Sequence, residues 1–320
     1  MTYEYFMKDL ELSERCQLSL AEQVVPTLLP TPSKDDDEQQ LDLENFHRVI
    51  AAILGKDAYA GDQDDFHNIA VELANSDRRT EAFYVVAKGV EMFPYSVDLL
   101  ADCILYGQSC TKLAECDAYL ERLRAISFDK WNWRAFTFVI DYLLEVKGAS
   151  DFEASREQAM ELAKKFKSSF PTDERCYIAE YKIYHATNDM QDRAMAVLEE
   201  GLEKLNVAPQ CALKSAEIYY RDGNYKKALE HFERCKKDFV QPNSPISIGY
   251  LFLMSAMCKM ALLFRTEAIN DSIDEKQIRD IYKECRISEK LVTRRSSYWR
   301  NLQSMIKIIE IKTGVYYEDD

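Results

Sequence analysis

A small residue recurs along this chain at intervals close to 34 positions. The recurring residues are Ala82, Cys116, Ala159, Ala194 and Ala228, and the successive intervals are 34, 43, 35 and 34 residues. A period of this length in a helix-rich sequence indicates stacked helix pairs, because each pair buries its apolar face only against its neighbours. The repeat therefore predicts an all-α architecture built from antiparallel helix pairs.

The residues around the recurring position have the chemistry that close helix packing needs. Small residues allow two helix backbones to approach, and large apolar residues fill the groove between them. In the first unit one helical face is formed by Phe66, Ile69, Ala70 and Leu73, and the next by Ala82, Val86 and Gly89. In the last clear unit the corresponding faces are formed by Ala212, Ser215, Ala216 and Tyr219, and by Ala228, Phe232 and Cys235. Pro94 and Pro242 follow these units, and proline cannot continue a helix.

Over roughly residues 63–242 this pattern resembles the tetratricopeptide repeat (TPR) family. That family has apolar, small and aromatic residues at fixed places in a 34-residue unit that a proline closes. Gly107 departs from the pattern, since it stands where the family has an aromatic residue. The resemblance implies a right-handed α-solenoid of five to six antiparallel helix pairs, with N-terminal helices and a C-terminal capping helix.

The flanking segments complete the predicted domain organisation. Residues 1–62 form an N-terminal region with helices at 3–25 and 41–54 and an acidic, proline-containing linker between them. Residues 63–313 form the solenoid with its cap, in which the apolar stretch 246–264 begins a sixth pair and the last helix has a polar outer face. Residues 314–320 form an acidic tail.

Composition limits the cellular setting and the chemistry. Few of the 320 residues are helix breakers, and no apolar run reaches the roughly 18 to 20 residues that span a bilayer. The N-terminus lacks a secretory signal pattern, and the nine cysteines lack metal-ligand spacing. We therefore expect a cytoplasmic protein with reduced, mostly buried thiols, no membrane contact, no metal and no cofactor. Because no catalytic motif is present, we expect no enzyme activity.

The resemblance implies that the first helix of each pair lines a concave groove that holds a protein or peptide segment. The residues predicted to bind the partner on this face are Trp131, Arg134, Phe138, Tyr142, Ile183, Glu217, Tyr220 and Arg221. Aromatic and arginine side chains are the ones most enriched at binding hot spots. The alternative is that several of them pack against the N-terminal helices or against the insertion at residues 149–154.

Charge is distributed unevenly along the chain. The formal net charge is −14, which argues against bulk nucleic-acid binding, yet the C-terminal helices are basic. The predicted basic strip consists of Lys283, Arg286, Lys290, Arg294, Arg295 and Arg300, and it would meet an acidic surface on a partner, on a second copy or in the linker. The alternative is a solvated face that Glu284 and Glu289 neutralise.

Three functions are consistent with these features. The first is a non-catalytic adaptor or scaffold that holds a partner protein or peptide segment in its groove. The second is a sensor or switch in which a peptide or other ligand changes the pitch of the superhelix. A third is binding of RNA or of an acidic partner through the basic C-terminal helices. The sequence leaves open whether the protein is a homo-oligomer.

Overall fold

The computed structural model describes residues 63–75, 77–187, 190–238, 247–267, 275–292 and 297–313. These residues form thirteen α-helices and two short 3-10 turns, and they contain no β-strand. The all-α helical-repeat prediction is confirmed. The predicted helices at 3–25 and 41–54 lie outside the described residues, and the domain boundaries after residues 62 and 313 stay predictions.

The chain divides into two compact units, Met1–Pro171 and Thr172–Asp320. Described helices of the first unit form three consecutive pairs. They are α1 (Gln63–Asn75) with α2 (Arg79–Met92), α3 (Val97–Ser109) with α4 (Leu113–Arg124), and α5 (Trp133–Glu145) with α6 (Phe152–Ser169). The first helices of the pairs also pack on one another, α1 on α3 and α3 on α5. This stacking brings side chains from three repeats onto one surface.

The second unit contains three further pairs and a final helix. They are α7 (Glu174–His185) with α8 (Gln191–Lys204), α9 (Pro209–Arg221) with α10 (Tyr225–Asp238), α11 (Ile248–Glu267) with α12 (Glu275–Leu291), and then α13 (Ser297–Thr313). The stretch predicted to begin a sixth pair is α11, which packs on α10 and α12. The six pairs among the described helices, and the helix that follows them, agree with the prediction.

The repeated small residues lie where the helices approach most closely. Ala82, Cys116, Ala159 and Ala228 are fully buried, and Ala194 is 1% exposed. Two glycines serve the same purpose: a Cβ on Gly89 would lie 2.8 Å from a ring atom of Phe66, and one on Gly107 would lie 2.5 Å from Cys116 Sγ. The departure at Gly107 therefore reflects a contact between α3 and α4 that is too close for any side chain.

The turn inside three of the pairs has one geometry. Asp77, Thr111 and Gly223 each follow the first helix of a pair and have φ values of 62°, 60° and 72°. The next amide donates to a carbonyl five residues earlier, as in the bond from Lys112 N to Gly107 O at 2.9 Å. This is the Schellman motif, which requires a left-handed residue and therefore favours glycine.

The last helix differs from the prediction of a polar outer face. α13 buries Leu302, Ile306 and Ile309 in a core that it shares with α11 and α12. However, Ile308 and Ile311 are 44% and 69% exposed. The outer face of α13 is therefore partly apolar.

Candidate functional site

A polar cluster joins the first helices of three successive repeats in the first unit. Arg134 of α5 donates through Nη1 to His67 Nε2 of α1 at 2.8 Å. His67 Nδ1 lies 2.8 Å from Asp102 Oδ2 of α3, and Arg134 Nη2 forms an ion pair with Asp102 Oδ1. We call these three residues the Arg134 cluster.

The start of α5 places Arg134 in this position. Asn132 caps α5, since its side-chain oxygen accepts the amide of Ala135 at 3.0 Å, and its Nδ2 donates to Asp98 Oδ1 at 2.6 Å. One side chain thus caps α5 and ties it to α3. Arg134 follows the cap by two residues, and its side chain extends towards Asp102. Asp102 lies one helical turn after Asp98 on the same face of α3.

The Arg134 cluster is largely buried. Asp102 is fully buried, while the side chains of Arg134 and His67 are 14% and 23% exposed. Arg134 Nη2 also lies 3.1 Å from His67 Nδ1, so the guanidinium contacts both ring nitrogens of His67 as well as the Asp102 carboxylate. Burial, followed by the charge of Asp102, raises the pKa of the nearby Tyr106 phenol.

This arrangement is a poor one for catalysis. A His–Asp pair resembles part of a general-base system, in which the second ring nitrogen must be free to take a proton. Here Arg134 Nη1 occupies that nitrogen, His67 Nε2. The cluster instead fixes three helices relative to one another, since a buried, fully paired charge network tolerates few other arrangements.

An apolar strip lies one helical turn beyond the cluster. Val71, Leu105 and Phe138 are half-buried, and the Arg134 guanidinium carbon lies 5.6 Å from the centroid of the Phe138 ring. Further along α3, Gln108 Oε1 is buried without a hydrogen-bond partner among the described residues. We call the Arg134 cluster, this strip and Gln108 together the α1/α3/α5 surface.

The structure separates the predicted groove residues of the first unit into two groups. Arg134 and Phe138 lie on the α1/α3/α5 surface. Trp131 is 2% exposed; its ring packs against Phe136 at 5.2 Å, and its Nε1 donates to the carbonyl of Ile126. The assignment of Trp131 to the surface is therefore corrected: it precedes the cap of α5 in extended conformation and does not follow the periodicity of that helix.

Tyr142 is also a core residue. It is fully buried, and its hydroxyl donates to Asp117 Oδ1 of α4 at 2.8 Å. Burial, together with this hydrogen bond, raises the pKa of the phenol. Its assignment to the binding face is therefore corrected. Tyr142 follows Arg134 by eight residues, and at this position of α5 its side chain points towards α4.

In the second unit the predicted residues again separate. Ile183 is fully buried and belongs to the core, which corrects its assignment. Glu217 is half-buried and accepts from Lys214 Nζ at 2.9 Å and from the Tyr250 hydroxyl at 3.3 Å. Tyr220 is half-buried against Tyr225, with ring centroids 5.4 Å apart. Arg221, at the end of α9, is exposed.

The basic strip is described in part. Lys283 and Lys290 of α12 and Arg300 of α13 are exposed. Arg286 is half-buried and donates from Nη1 to Glu289 Oε2 at 2.6 Å. Arg294 and Arg295 lie outside the described residues.

Asp98, Asp102 and Asn132 are not among the site residues predicted from the sequence. One signal was available, because Asp98 and Asn132 lie 34 residues apart, at equivalent positions of two repeats. A second was the acid at position 102 inside the apolar run "LLADCILYG", which needs a buried partner.

The described residues contain no group of three or more histidine, cysteine or acidic side chains arranged to hold a metal ion. Among the described helices, none combines the length and the hydropathy needed to cross a membrane. The eight described cysteines are free thiols, and all except the half-buried Cys110 are buried.

The sequence and the structure were compared with those of known proteins. No protein-family model and no curated protein matches the sequence. Yeast Tom70 is similar in structure, with a TM-score of 0.52 and 14% identity over 96% of this chain and 58% of that chain. A thermophilic TPR protein of Thermus thermophilus has a TM-score of 0.47 and 15% identity over 63% of this chain and 99% of its own.

The fold is TPR-like. Human IFIT1, solved as a dimer with PPP-AAAA, has a TM-score of 0.49 and 16% identity over 95% of this chain and 66% of that chain. Identities this low show a likeness of fold alone and transfer no ligand. What this TPR-like protein binds has to be argued from its own side chains.

Proposed function

We propose that this protein is a non-catalytic, TPR-like adaptor that holds a segment of a partner protein on its α1/α3/α5 surface. The observation that carries the proposal is the half-buried strip of Val71, Leu105 and Phe138 beside the Arg134 cluster. The cluster already fixes the three helices that carry the strip. A surface organised before binding loses less conformational entropy when a partner docks.

The charges of the surface indicate which segment it would accept. Asp98 and Asp102 both lie beside a single guanidinium, that of Arg134, and Asp102 already neutralises that group. A terminal carboxylate would meet an occupied arginine and a net negative surface. The segment we propose therefore has an apolar anchor that contacts Phe138 and a basic side chain directed towards Asp98.

Gln108 supports an extended backbone at the same place. Its Oε1 is a buried acceptor without a donor in the described part of the chain. A buried polar atom left unpaired costs about 1–3 kcal/mol, so a docking main-chain N–H would recover part of that free energy. We propose that the adaptor works without a cofactor in the cytoplasm, where its cysteines stay reduced.

The test introduces a photoreactive phenylalanine analogue at position 138 in the full chain, expressed in the native host. Phe152, another half-buried phenylalanine, on α6, is the control position. We expect a defined crosslinked partner from position 138 and none from position 152. Crosslinking at both positions alike, or only at 152, would contradict the proposed surface.

A quantitative test then uses the crosslinked segment as a synthetic peptide. Truncation of a central aromatic hot spot costs roughly 2–4 kcal/mol, so Phe138→Ala should weaken binding at least about tenfold. Phe152→Ala should leave the affinity within about threefold of wild type. Equal affinities for the two variants would remove Phe138 from the site.

A further inference from the structure

The outward side of α12 carries a line of five basic residues. Lys276, Arg279, Lys283, Arg286 and Lys290 are spaced alternately by three and four residues, so they share one helical face. All are exposed except Arg286, which is half-buried. We call this face the α12 outer face. The opposite face of α12 is the buried one and packs against α11 and α13.

Two acids next to these bases, Glu284 and Glu289, are already paired. Glu284 Oε1 accepts from Lys236 Nζ at 2.8 Å and from Lys259 Nζ at 3.0 Å, which belong to α10 and α11. Glu289 accepts from Arg286 at 2.6 Å and from Gln303 Nε2 at 2.7 Å. The explanation that Glu284 and Glu289 neutralise the strip therefore does not hold for Lys283 and Lys290.

Lys283 and Lys290 have no counter-ion among the residues that the structure describes. Asp280 is the acid that remains near them on this face, and it is exposed. Lys283 and Lys290 lie seven residues, or about two helical turns, apart. Together they create a local positive potential on a chain whose net charge is −14. That potential favours an acidic ligand of limited length.

Two exposed apolar side chains lie within the same face. Ile287 and Leu291 are 40% and 49% exposed, and they stand one helical turn apart, adjacent to Lys283 and Lys290. The exposed parts of the two side chains are apolar surface next to the bases, although the Cβ of Leu291 also lies against Gly249 of α11. Together with the bases they form a surface that complements carboxylates and apolar side chains at once.

We propose that the α12 outer face docks an acidic segment of a partner protein that carries one or two apolar side chains between its carboxylates. The residues that define this face favour a protein ligand over a nucleic acid, because two aliphatic side chains suit apolar side chains and none of these residues is an aromatic on which a base would stack. The net charge of −14 would repel an extended anionic membrane surface or a long nucleic acid. This docking surface is independent of the α1/α3/α5 surface.

The first experiment selects ligands without assuming their sequence. A library of random displayed 12-residue peptides is panned on the full chain, with counter-selection on the Lys283→Glu/Lys290→Glu variant. We expect enrichment of sequences that combine Asp or Glu with Leu, Ile or Phe. Failure to enrich any sequence, or enrichment of basic or uncharged sequences, would overturn the proposal.

The second experiment measures the enriched peptide by fluorescence anisotropy. We expect Lys283→Glu/Lys290→Glu to weaken binding at least about tenfold, and binding to weaken as salt rises from about 50 to about 500 mM, since exposed charges are screened. The matched control is Lys226→Glu/Lys237→Glu, which makes the same charge change on exposed lysines of α10. Equal losses in both variants would show a general charge effect and overturn the site.

The apolar contribution has its own control. Ile287→Ser/Leu291→Ser should weaken the same peptide about fivefold or more, whereas Val207→Ser, at a residue 54% exposed elsewhere in the second unit, should not. Unchanged binding by the first variant would overturn the apolar part of the proposal. Parallel titrations use a uridine homopolymer, phosphatidylserine vesicles, a peptide of residues 314–320 and a second copy of the chain. Tighter binding of any of these than of the selected peptide would assign the surface to that ligand instead.

Discussion

At the scale of single residues, Thr111 adopts a backbone conformation that β-branched side chains rarely take. Its φ is 60°, in the turn position where Gly223 stands in a later repeat. A non-glycine residue in the left-handed region costs roughly 1–2 kcal/mol. Replacement by glycine removes this cost, but the greater conformational entropy of glycine in the unfolded chain offsets part of the gain. We expect Thr111→Gly to raise the free energy of unfolding by about 0.5–1 kcal/mol, measured by urea unfolding.

The control for this prediction is Thr111→Ala, which keeps the left-handed penalty. It should remain within about 0.5 kcal/mol of wild type. A glycine variant less stable than the alanine variant would show that the turn is not strained at this position.

Trp131 has the residue type of a binding hot spot, but its side chain belongs to the core. Its ring lies 4.8 Å from that of Phe128 and 5.2 Å from that of Phe136. We expect Trp131→Ala to lower the free energy of unfolding by about 3–5 kcal/mol, because it leaves a large cavity. Phe138→Ala, on the half-buried surface, should cost about 1 kcal/mol. Equal melting temperatures for wild type and Trp131→Ala would show that Trp131 is not a core residue.

At the scale of elements, α9 begins without a capping side chain of its own. Ala208 stands at its N-cap, and Pro209 follows. Glu174 of α7 takes the role: its carboxylate accepts from Gln210 N at 2.8 Å, from Cys211 N at 3.3 Å and from Gln210 Nε2 at 3.1 Å. An acid from one repeat thus satisfies the first turn of the next repeat.

This cap predicts a pH dependence. Burial raises the pKa of Glu174 above its ordinary value of 4.5, although the three hydrogen bonds oppose the shift. The folded protein therefore binds this proton more tightly than the unfolded chain does, so the contribution of Glu174 to stability falls as pH rises from about 4.5 through the folded pKa. We expect the stability of wild type relative to Glu174→Gln to decrease between about pH 4.5 and 8 in urea unfolding. A relative increase would mean that the hydrogen bonds outweigh burial.

The closeness of paired helices can be tested at Ala228 of α10, which is fully buried. We expect Ala228→Leu to lower the free energy of unfolding by about 1–3 kcal/mol, because the larger side chain forces a close helix contact apart. Ala196 of α8 is exposed, and Ala196→Leu is the matched control. A thermal melt that does not distinguish the two variants would place Ala228 away from a helix contact.

At the scale of the whole molecule, the buried thiols report on folding. Burial is the main cause that raises the pKa of Cys116, Cys235, Cys258 and Cys285, each to about 12. A thiol is reactive only as the thiolate, so these residues should resist alkylation at about pH 8 while the protein is folded. In a Cys16→Ser/Cys110→Ser background, which removes the half-buried Cys110, we expect alkylation by iodoacetamide to follow the unfolding transition. Rapid labelling of these four residues in the native protein would contradict their burial.

The helical-repeat architecture could be predicted from the amino-acid sequence. The interval near 34 residues and the small residue at its anchor predicted helix pairs, and the structure has a buried residue at each of the five anchors. This succeeded because helix periodicity and close packing are local properties, which appear in the sequence at fixed spacings. The apolar stretch at 246–264 likewise predicted the buried helix α11.

The side chains that are available for binding could not be predicted from the sequence, because their exposure depends on how the helices pack. Trp131 and Tyr142 have the residue types of a hot spot and are buried, whereas Asp102 lies at the centre of the Arg134 cluster. The partners in that cluster are separated by 32, 35 and 67 residues. The same holds for Glu284, whose lysine Lys236 is 48 residues away. No local spacing encodes such pairings, because they depend on which faces of distant helices meet when the repeats stack.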